Sequence, residues 1–260
     1  MFFPLMKVTG LTGFLDLFFL PPNNWENRFK KPIVLNLIWS SDSHWSCMEI
    51  GSLEFGESKR ITTTDFPDVF QNNTLAFIYP SIKELPRYFE LLPTKAFWHS
   101  EIPQWRNTSG FYNNHAQVSY QSEVFPLPEN GTLLSFHPFI QYGNVTNKLV
   151  FLNLQKKPHK YFEKIYIYDS LTKKKIGSSK VQSNSVTEID LDQFIIEPNC
   201  LPVIFSKGMA GIPFGLGESK DKCMLSLEHT HPPASFVLFG NRFGVQSQIK
   251  KRWFERLNEN

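Results

Sequence analysis

Residues 50–70 read IGSLEFGESKRITTTDFPDVF, and residues 176–194 read IGSSKVQSNSVTEIDLDQF. Each opens on Ile-Gly-Ser, passes through alternating apolar and polar positions, reaches an acidic strand end and closes on a Phe. The sequel is alike in both places. An apolar run follows (LAFIYPS from Leu75, LPVIFSKG from Leu201), then a segment bearing Ser and Glu that runs into proline (HAQVSYQSEVFPLP from His115, MLSLEHTHPP from Met224). Similarity repeated in the same order is the mark of a duplicated structural unit. Alternation with period two puts successive side chains on opposite faces of a strand, so the unit is built of strands.

Outward from these two stretches the same periodicity continues, and amphipathic helical runs are nearly absent. About seven strand-like segments fall in each half, separated by Gly, Pro and Asn. The first half includes 33–40, 46–55, 59–64, 75–79, 96–102, 115–123 and 132–136. The second includes 148–155, 164–169, 175–182, 185–190, 201–206, 224–228 and 235–239. The expected fold is all-β: two tandem, internally related β-sandwich domains, immunoglobulin- or jelly-roll-like. The polar stretch 141–147 near the midpoint divides them into residues 1–144 and 145–260. Two short helices are expected, Ile82–Leu91 after Tyr79-Pro80, and a C-terminal one over Gln246–Leu257, where Ile249, Trp253, Phe254 and Leu257 recur at helical spacing.

Composition narrows the class. The chain has 260 residues, 41% hydrophobic and 20% charged, an ordinary globular balance. Its aromatic mass is mostly Phe (25, against 8 Tyr and 6 Trp), a side chain without a polar handle that belongs in a core. The net charge of +3 is unevenly spread: residues 1–146 carry 10 Lys/Arg and 13 Asp/Glu, the remainder 17 and 11. Lysines at turns and sheet edges blunt strand pairing, and no nucleic-acid-binding signature accompanies them, so no nucleic acid is expected.

Cys47, Cys200 and Cys223 have no paired spacing, which argues against a disulfide framework or a cysteine zinc site. A reducing, cytoplasmic setting is the expectation. Sequons stand at Asn72, Asn107, Asn130 and Asn144, and they matter only in a secretory context. The apolar N-terminus is interrupted by Pro4, Lys7, Gly10, Gly13 and Asp16. It reads as a first strand or short helix rather than a membrane span, with peripheral membrane contact through Phe14, Leu17 and Phe18 as the alternative.

Two clusters could carry chemistry. In HSEIPQWRNTSGFYNNH, a loop-rich stretch by its sequence, His99, Glu101, Trp105, Arg106, Asn113, Asn114 and His115 lie close along the chain. A Trp-Arg pair among amides suits stacking on a sugar ring or a protein interface. In EHTHPP, His229 and His231 sit two apart on a strand and share a face, so both could reach one divalent metal. Glu228 is the candidate third ligand or base, although adjacent residues of a strand face opposite ways. The HTHP string resembles the zinc-binding segment of JAMM-type isopeptidases, but that family needs an aspartate downstream and none follows Asp221.

Other letter matches fail. GMAGIPFGLGES (208–219) is Gly-rich without the Gly-Lys-Ser/Thr of a phosphate loop, and reads as a flexible loop between strands. Ser170-x-x-Lys173 lies in a charged hairpin with no companion motif. The expected function is therefore a non-catalytic binding or accessory protein with a carbohydrate or protein partner and no cofactor. The competing expectation is a metal-dependent hydrolase or oxygenase built on His229 and His231.

Overall fold

The computed structural model describes residues 2–20, 32–54, 56–71, 73–93, 104–122, 124, 133–195, 199–206, 208, 209, 211–229, 248, 252 and 255. The chain is all-β. It divides into two compact units, the first comprising Met1–Pro126 with Leu154–Lys160 and Asn184–Val186, the second comprising Leu127–Asn153, Tyr161–Ser183 and Thr187–Asn260.

In the first unit the strands are β1 (Phe3–Leu5), β2 (Thr12–Leu20), β3 (Ile33–Ser40), β4 (Trp45–Leu53), β5 (Ser58–Thr62), β6 (Ala76–Ser81), β7 (Tyr88–Phe89), β8 (Gln104–Tyr112) and β9 (Gln117–Tyr120). They form one sheet of order β1-β6-β3-β4-β7 and another of order β5-β2-β8-β9. The second half contributes β10 (Leu133–Phe136), β11 (Val145–Asn153), β12 (Phe162–Asp169), β13 (Lys175–Gln182), β14 (Ser185–Asp190), β15 (Pro202–Ser206), β16 (Ile212–Ser219) and β17 (Leu225–His229). Their sheets run β10-β15-β12-β13 and β14-β11-β16-β17. The pairings β1–β6, β3–β6, β3–β4, β4–β7, β2–β5, β2–β8, β8–β9, β10–β15, β12–β15, β12–β13, β11–β16 and β16–β17 are antiparallel.

The two strand orders coincide when read in chain order, with β10–β15 taking the places of β1–β6 and β16, β17 those of β8, β9. Among the described strands only β7 has no counterpart. The Ile-Gly-Ser letters have a structural meaning as well. Leu35 pairs with Gly51 and Asn36 with Glu49, so Ile50 is an extra, unpaired residue. Ile167 pairs with Gly177 and Tyr168 with Lys175, so Ile176 is another. Both motifs are therefore β-bulges. They lie at different distances from their hairpin turns, so the shared letters mark the bulge and not one shared register.

Alternation fills one core per unit. Phe3, Leu5, Leu15, Leu17, Phe19, Ile33, Leu35, Leu37, Ile61 and Ile78 form the first cluster, drawn from both sheets of that unit. Leu149, Phe151, Ile165, Ile167, Val181, Ile189 and Ile204 do the same in the second. The sheet containing β3 is buried on its other face too, where Phe2 meets Phe77 edge-on and Trp45 packs on Phe77. Trp45 Nε1 donates to the Lys156 carbonyl in the Leu154–Lys160 segment of the same unit. Most of the described Phe side chains thus go into the interior, as their lack of polar atoms favours, with Phe139 and Phe162 exposed.

Several expectations need correction. Ile82–Leu91 is not helical: a series of bends and the short β7 occupy it. Pro86 removes a helical N–H, Ser81 Oγ ties up the first turn by accepting from Lys83 N and donating to Lys83 O, and β4 supplies a competing ladder at Trp45 and Ser46. The Gly-rich loop is largely strand, since β16 runs between β11 and β17, and its glycines leave room for neighbours. An added Cβ on Gly211 would overlap the Phe151 ring. Much of the loop-rich aromatic stretch is likewise the central strand β8. The N-terminus supplies β1 and β2, with Phe14 and Leu17 buried and so withheld from any membrane. No helix among the described residues is long and apolar enough to cross one. Strand β10, assigned by sequence to residues 1–144, pairs with β15. Asn107 of the second sequon is buried, its Oδ1 accepting from Ser122 N and Oγ.

The expected strands at 96–102 and 235–239 lie outside the described residues. So do most residues of the expected C-terminal helix, of which only Gln248, Arg252 and Glu255 are described, each with helical backbone and exposed.

Lys173 closes the β12–β13 turn with φ of 60°, a left-handed conformation that strains a side chain with a Cβ. It is exposed, so nothing in its packing offsets that strain. Lys173→Gly is expected to stabilise the chain by about 0.5–1 kcal/mol, part of the relief being lost to the freer unfolded glycine. A thermal melt that moves downward would contradict this.

Candidate functional site

A groove of about 490 Å³ opens on the first unit, lined by Asn36, Cys47, Met48, Glu49, Glu84, Leu85 and Arg87. Three elements build it. β3 supplies Asn36, the one polar residue in the run IVLNLIW; β4 supplies residues 47–49; and the strap between β6 and β7 supplies 84, 85 and 87. The strap is held by the backbone, Cys47 N donating to Arg87 O at 2.8 Å.

Asn36 is buried and satisfied, its Nδ2 donating to Tyr79 O at 3.2 Å and to Val34 O at 3.4 Å. Cys47 Sγ donates to Asn36 Oδ1 across 3.8 Å. Burial pushes the Cys47 thiol up to about 11. It stays protonated at neutral pH and is no nucleophile, since the thiolate is the reactive form. The groove therefore offers hydrogen bonds and charge, with Glu49, Glu84 and Arg87 on its walls, and no activated group.

Beside the groove runs an open strand edge. β7 pairs only with Trp45 and Ser46. From Met48 to Leu53 the strand has, among the described residues, a ladder partner on the β3 side alone. Lys59 Nζ caps the Ile50 carbonyl at 3.2 Å, which leaves the Met48–Glu49 portion nearest the groove uncapped. Met48 in that portion is exposed, as is Tyr88 of β7, 61% exposed with the His44 ring edge-on against it at 4.6 Å.

None of these residues carried a sequence signal except Asn36, whose amide interrupts an otherwise apolar strand. They meet only because the sheet order places β3, β4 and the strap side by side.

The residues singled out by sequence are placed differently. Asn113, Asn114 and His115 form the β8–β9 turn, where Asn113 Oδ1 accepts from His115 N and Ala116 N, both at 2.8 Å. That is the turn chemistry of Asn. Trp105 and Arg106 lie in β8 opposite Phe19 and Phe18, about 23 Å along the strand from Asn113 at the usual rise per residue. Their side chains, and the whole of His99 and Glu101, lie outside the described residues.

Glu228 and His229 are successive residues of β17 and face opposite sides of it. The Glu228 carboxylate accepts from Phe139 N at 2.6 Å, while the His229 ring lies 6.3 Å from that of Phe214. Desolvation pushes the His137 imidazole below its usual range and Glu228 pulls it back. His231 lies outside the described residues. Among those described, no three His, Cys, Asp or Glu side chains gather as a metal-ligand set. No protein-family model, curated protein or solved structure matches the chain.

Proposed function

We propose that the chain is a pair of related β-sandwiches in tandem acting as a non-catalytic binding protein, whose β4 edge takes an extended segment of a protein partner. The observation that carries this is the open edge at Met48–Glu49 beside a polar groove and exposed apolar side chains. A strand added there would gain main-chain hydrogen bonds, with alternate side chains entering the groove for specificity. The sandwich reading is supported by cores drawn from two sheets and by the matching strand orders. A protein segment suits the edge better than a sugar, because unpaired backbone groups complement another backbone. The protonated Cys47 fits binding and not thiol catalysis.

Selection of phage-displayed peptides on the full chain tests the proposal. Selected peptides are expected to bind the wild type and to bind Met48→Asp at least about tenfold more weakly, as loss of an interface anchor does. Peptides that bind both alike, or a selection that yields none, would overturn it. Binding on a glycan array that is abolished by Trp105→Ala would instead assign the chain to a sugar.

A further inference from the structure

In the second unit the outward face of β12 and β13 collects charge of one sign. Lys164 pairs directly across the strands with Lys180, Tyr166 with Ser178, Phe162 with Gln182 and Tyr168 with Lys175. Paired residues share a face, so three lysines stand on one side of this hairpin. Lys175 Nζ sits over the Tyr166 ring at 4.8 Å. All three lysines are exposed, and Phe162 beside them is 64% exposed.

Among the described residues no ion pair joins these lysines to a carboxylate. Glu163 and Asp169 alternate to the other side of β12, Glu163 beside Gly208 and Asp169 holding the hairpin turn. Among the described residues the ion pairs use Lys148, Lys160 and Arg60. Like charges directly opposite on neighbouring strands destabilise a sheet. A lysine placed only to blunt an edge needs no second lysine facing it. The arrangement makes sense when an anion comes between them.

The aromatic side chains narrow the anion. Phe162 presents a free ring at the end of the lysine row, and Tyr166 lies within it. Ammonium groups alternating with ring faces suit a ligand that alternates phosphates with flat bases. From Lys175 to Lys180 the strand covers about 17 Å, room for several nucleotides of extended strand. We propose that this β12–β13 face binds single-stranded nucleic acid without base-sequence readout, through phosphates on Lys164, Lys175 and Lys180 and a base on Phe162. This site is separate from the β4 edge and does not depend on it.

Fluorescence anisotropy of a labelled oligouridylate of roughly 20 nucleotides with the full chain, across about 50–200 mM salt, tests this. Three phosphate contacts predict a slope of log K against log salt of about −2. The double variant Lys164→Gln/Lys180→Gln is expected to reduce the slope to about −0.7 and Lys220→Gln, on the β16–β17 turn, to leave it unchanged. Phe162→Ala is expected to weaken binding by about five- to a hundredfold without changing the slope. Relief of the facing charges predicts that the double variant melts no lower than the wild type, which separates lost binding from lost folding.

Absence of binding at low salt, or a slope that the double variant leaves intact, would overturn the proposal. So would heparin binding as tightly as the oligonucleotide with Phe162→Ala affecting neither, since that would assign the face to a sulfated polysaccharide.

Discussion

Gly13→Ala is expected to destabilise the first unit by about 3 kcal/mol or more, against a total stability of about 5–15 kcal/mol for a domain. A Cβ built on Gly13 overlaps the Met6 carbonyl oxygen, lies 2.8 Å from the Met6 carbonyl carbon and 3.0 Å from Thr63 Cγ2. These are mostly backbone atoms. A crowded side chain can change rotamer, but Met6 is fixed by β1, whose Phe3, Pro4 and Leu5 pair with β6. Gly13 is fixed on its own side by the β2–β8 ladder, opposite Phe111, and its N–H donates to the buried Thr63 Oγ1 at 3.1 Å. Relief therefore requires one strand to leave its ladder. Gly215→Ala is the control, because its Cβ would meet only the Glu228 side chain at 3.4 Å and Phe136 at 3.7 Å, ordinary contact distances. Urea unfolding followed by circular dichroism should show a large loss for the first and less than about 1 kcal/mol for the second. Equal, small losses would mean that β1 and β2 do not meet as closely as described.

That same glycine shows why some of the architecture was hidden in the sequence. In residues 1–22, glycine, proline and charge broke up the apolar run, and each break has a local cause that letters do not disclose. Gly13 is the close approach of two strands, and Asp16 is an outward residue paired with Arg60 at 2.6 Å. β16 was masked in the same way. Its glycines read as loop because a strand gains little from glycine unless neighbours occupy the space, as the Ser226 and Gln141 side chains do at Gly217. Strands set off by polar turn residues were legible almost to the residue: β3, β13 and β14 have the bounds expected for them. The matching strand order of the two halves was legible as order of elements, because the bulge, the buried strand β6 or β15 and the hairpins recur in sequence.

The groove was a different matter. Its lining residues are up to 51 positions apart along the chain, from Asn36 to Arg87, and they belong to no motif. Only the sheet order brings them together. The lysine face was visible as composition and read as edge protection, and sequence alone does not say that Lys164 and Lys180 stand opposite one another. Only the cross-strand register shows that pairing.

Asp169→Asn is expected to cost about 2–4 kcal/mol at neutral pH, with a penalty that shrinks in acid. Asp169 ends β12 and is 6% exposed. Its Oδ1 accepts from Leu171 N at 3.3 Å and Leu201 N at 3.0 Å, and its Oδ2 from Thr172 N at 3.1 Å and Thr172 Oγ1 at 2.6 Å. One carboxylate thus closes the β12–β13 turn and anchors the chain as it enters β15. An Asn amide can replace only one of the two oxygens, so it leaves two of these donors facing an NH2 group. Burial pushes the Asp169 carboxyl up, but the hydrogen bonds from Thr172, Leu201 and Leu171 together outweigh it and hold the group below the usual carboxylate range. A carboxyl whose folded pKa is depressed stabilises the fold above its unfolded pKa of about 3.9, and loses that contribution as pH falls through the lower folded value. Wild type and Asp169→Asn should therefore differ most near pH 7 and converge below the unfolded pKa, where the wild-type side chain also takes a proton. Urea unfolding of both proteins from neutral pH into the acid range reads this directly. A gap that stays constant through the acid range would mean that the four hydrogen bonds do not depend on the charge, and that the carboxylate is not what holds the turn to β15.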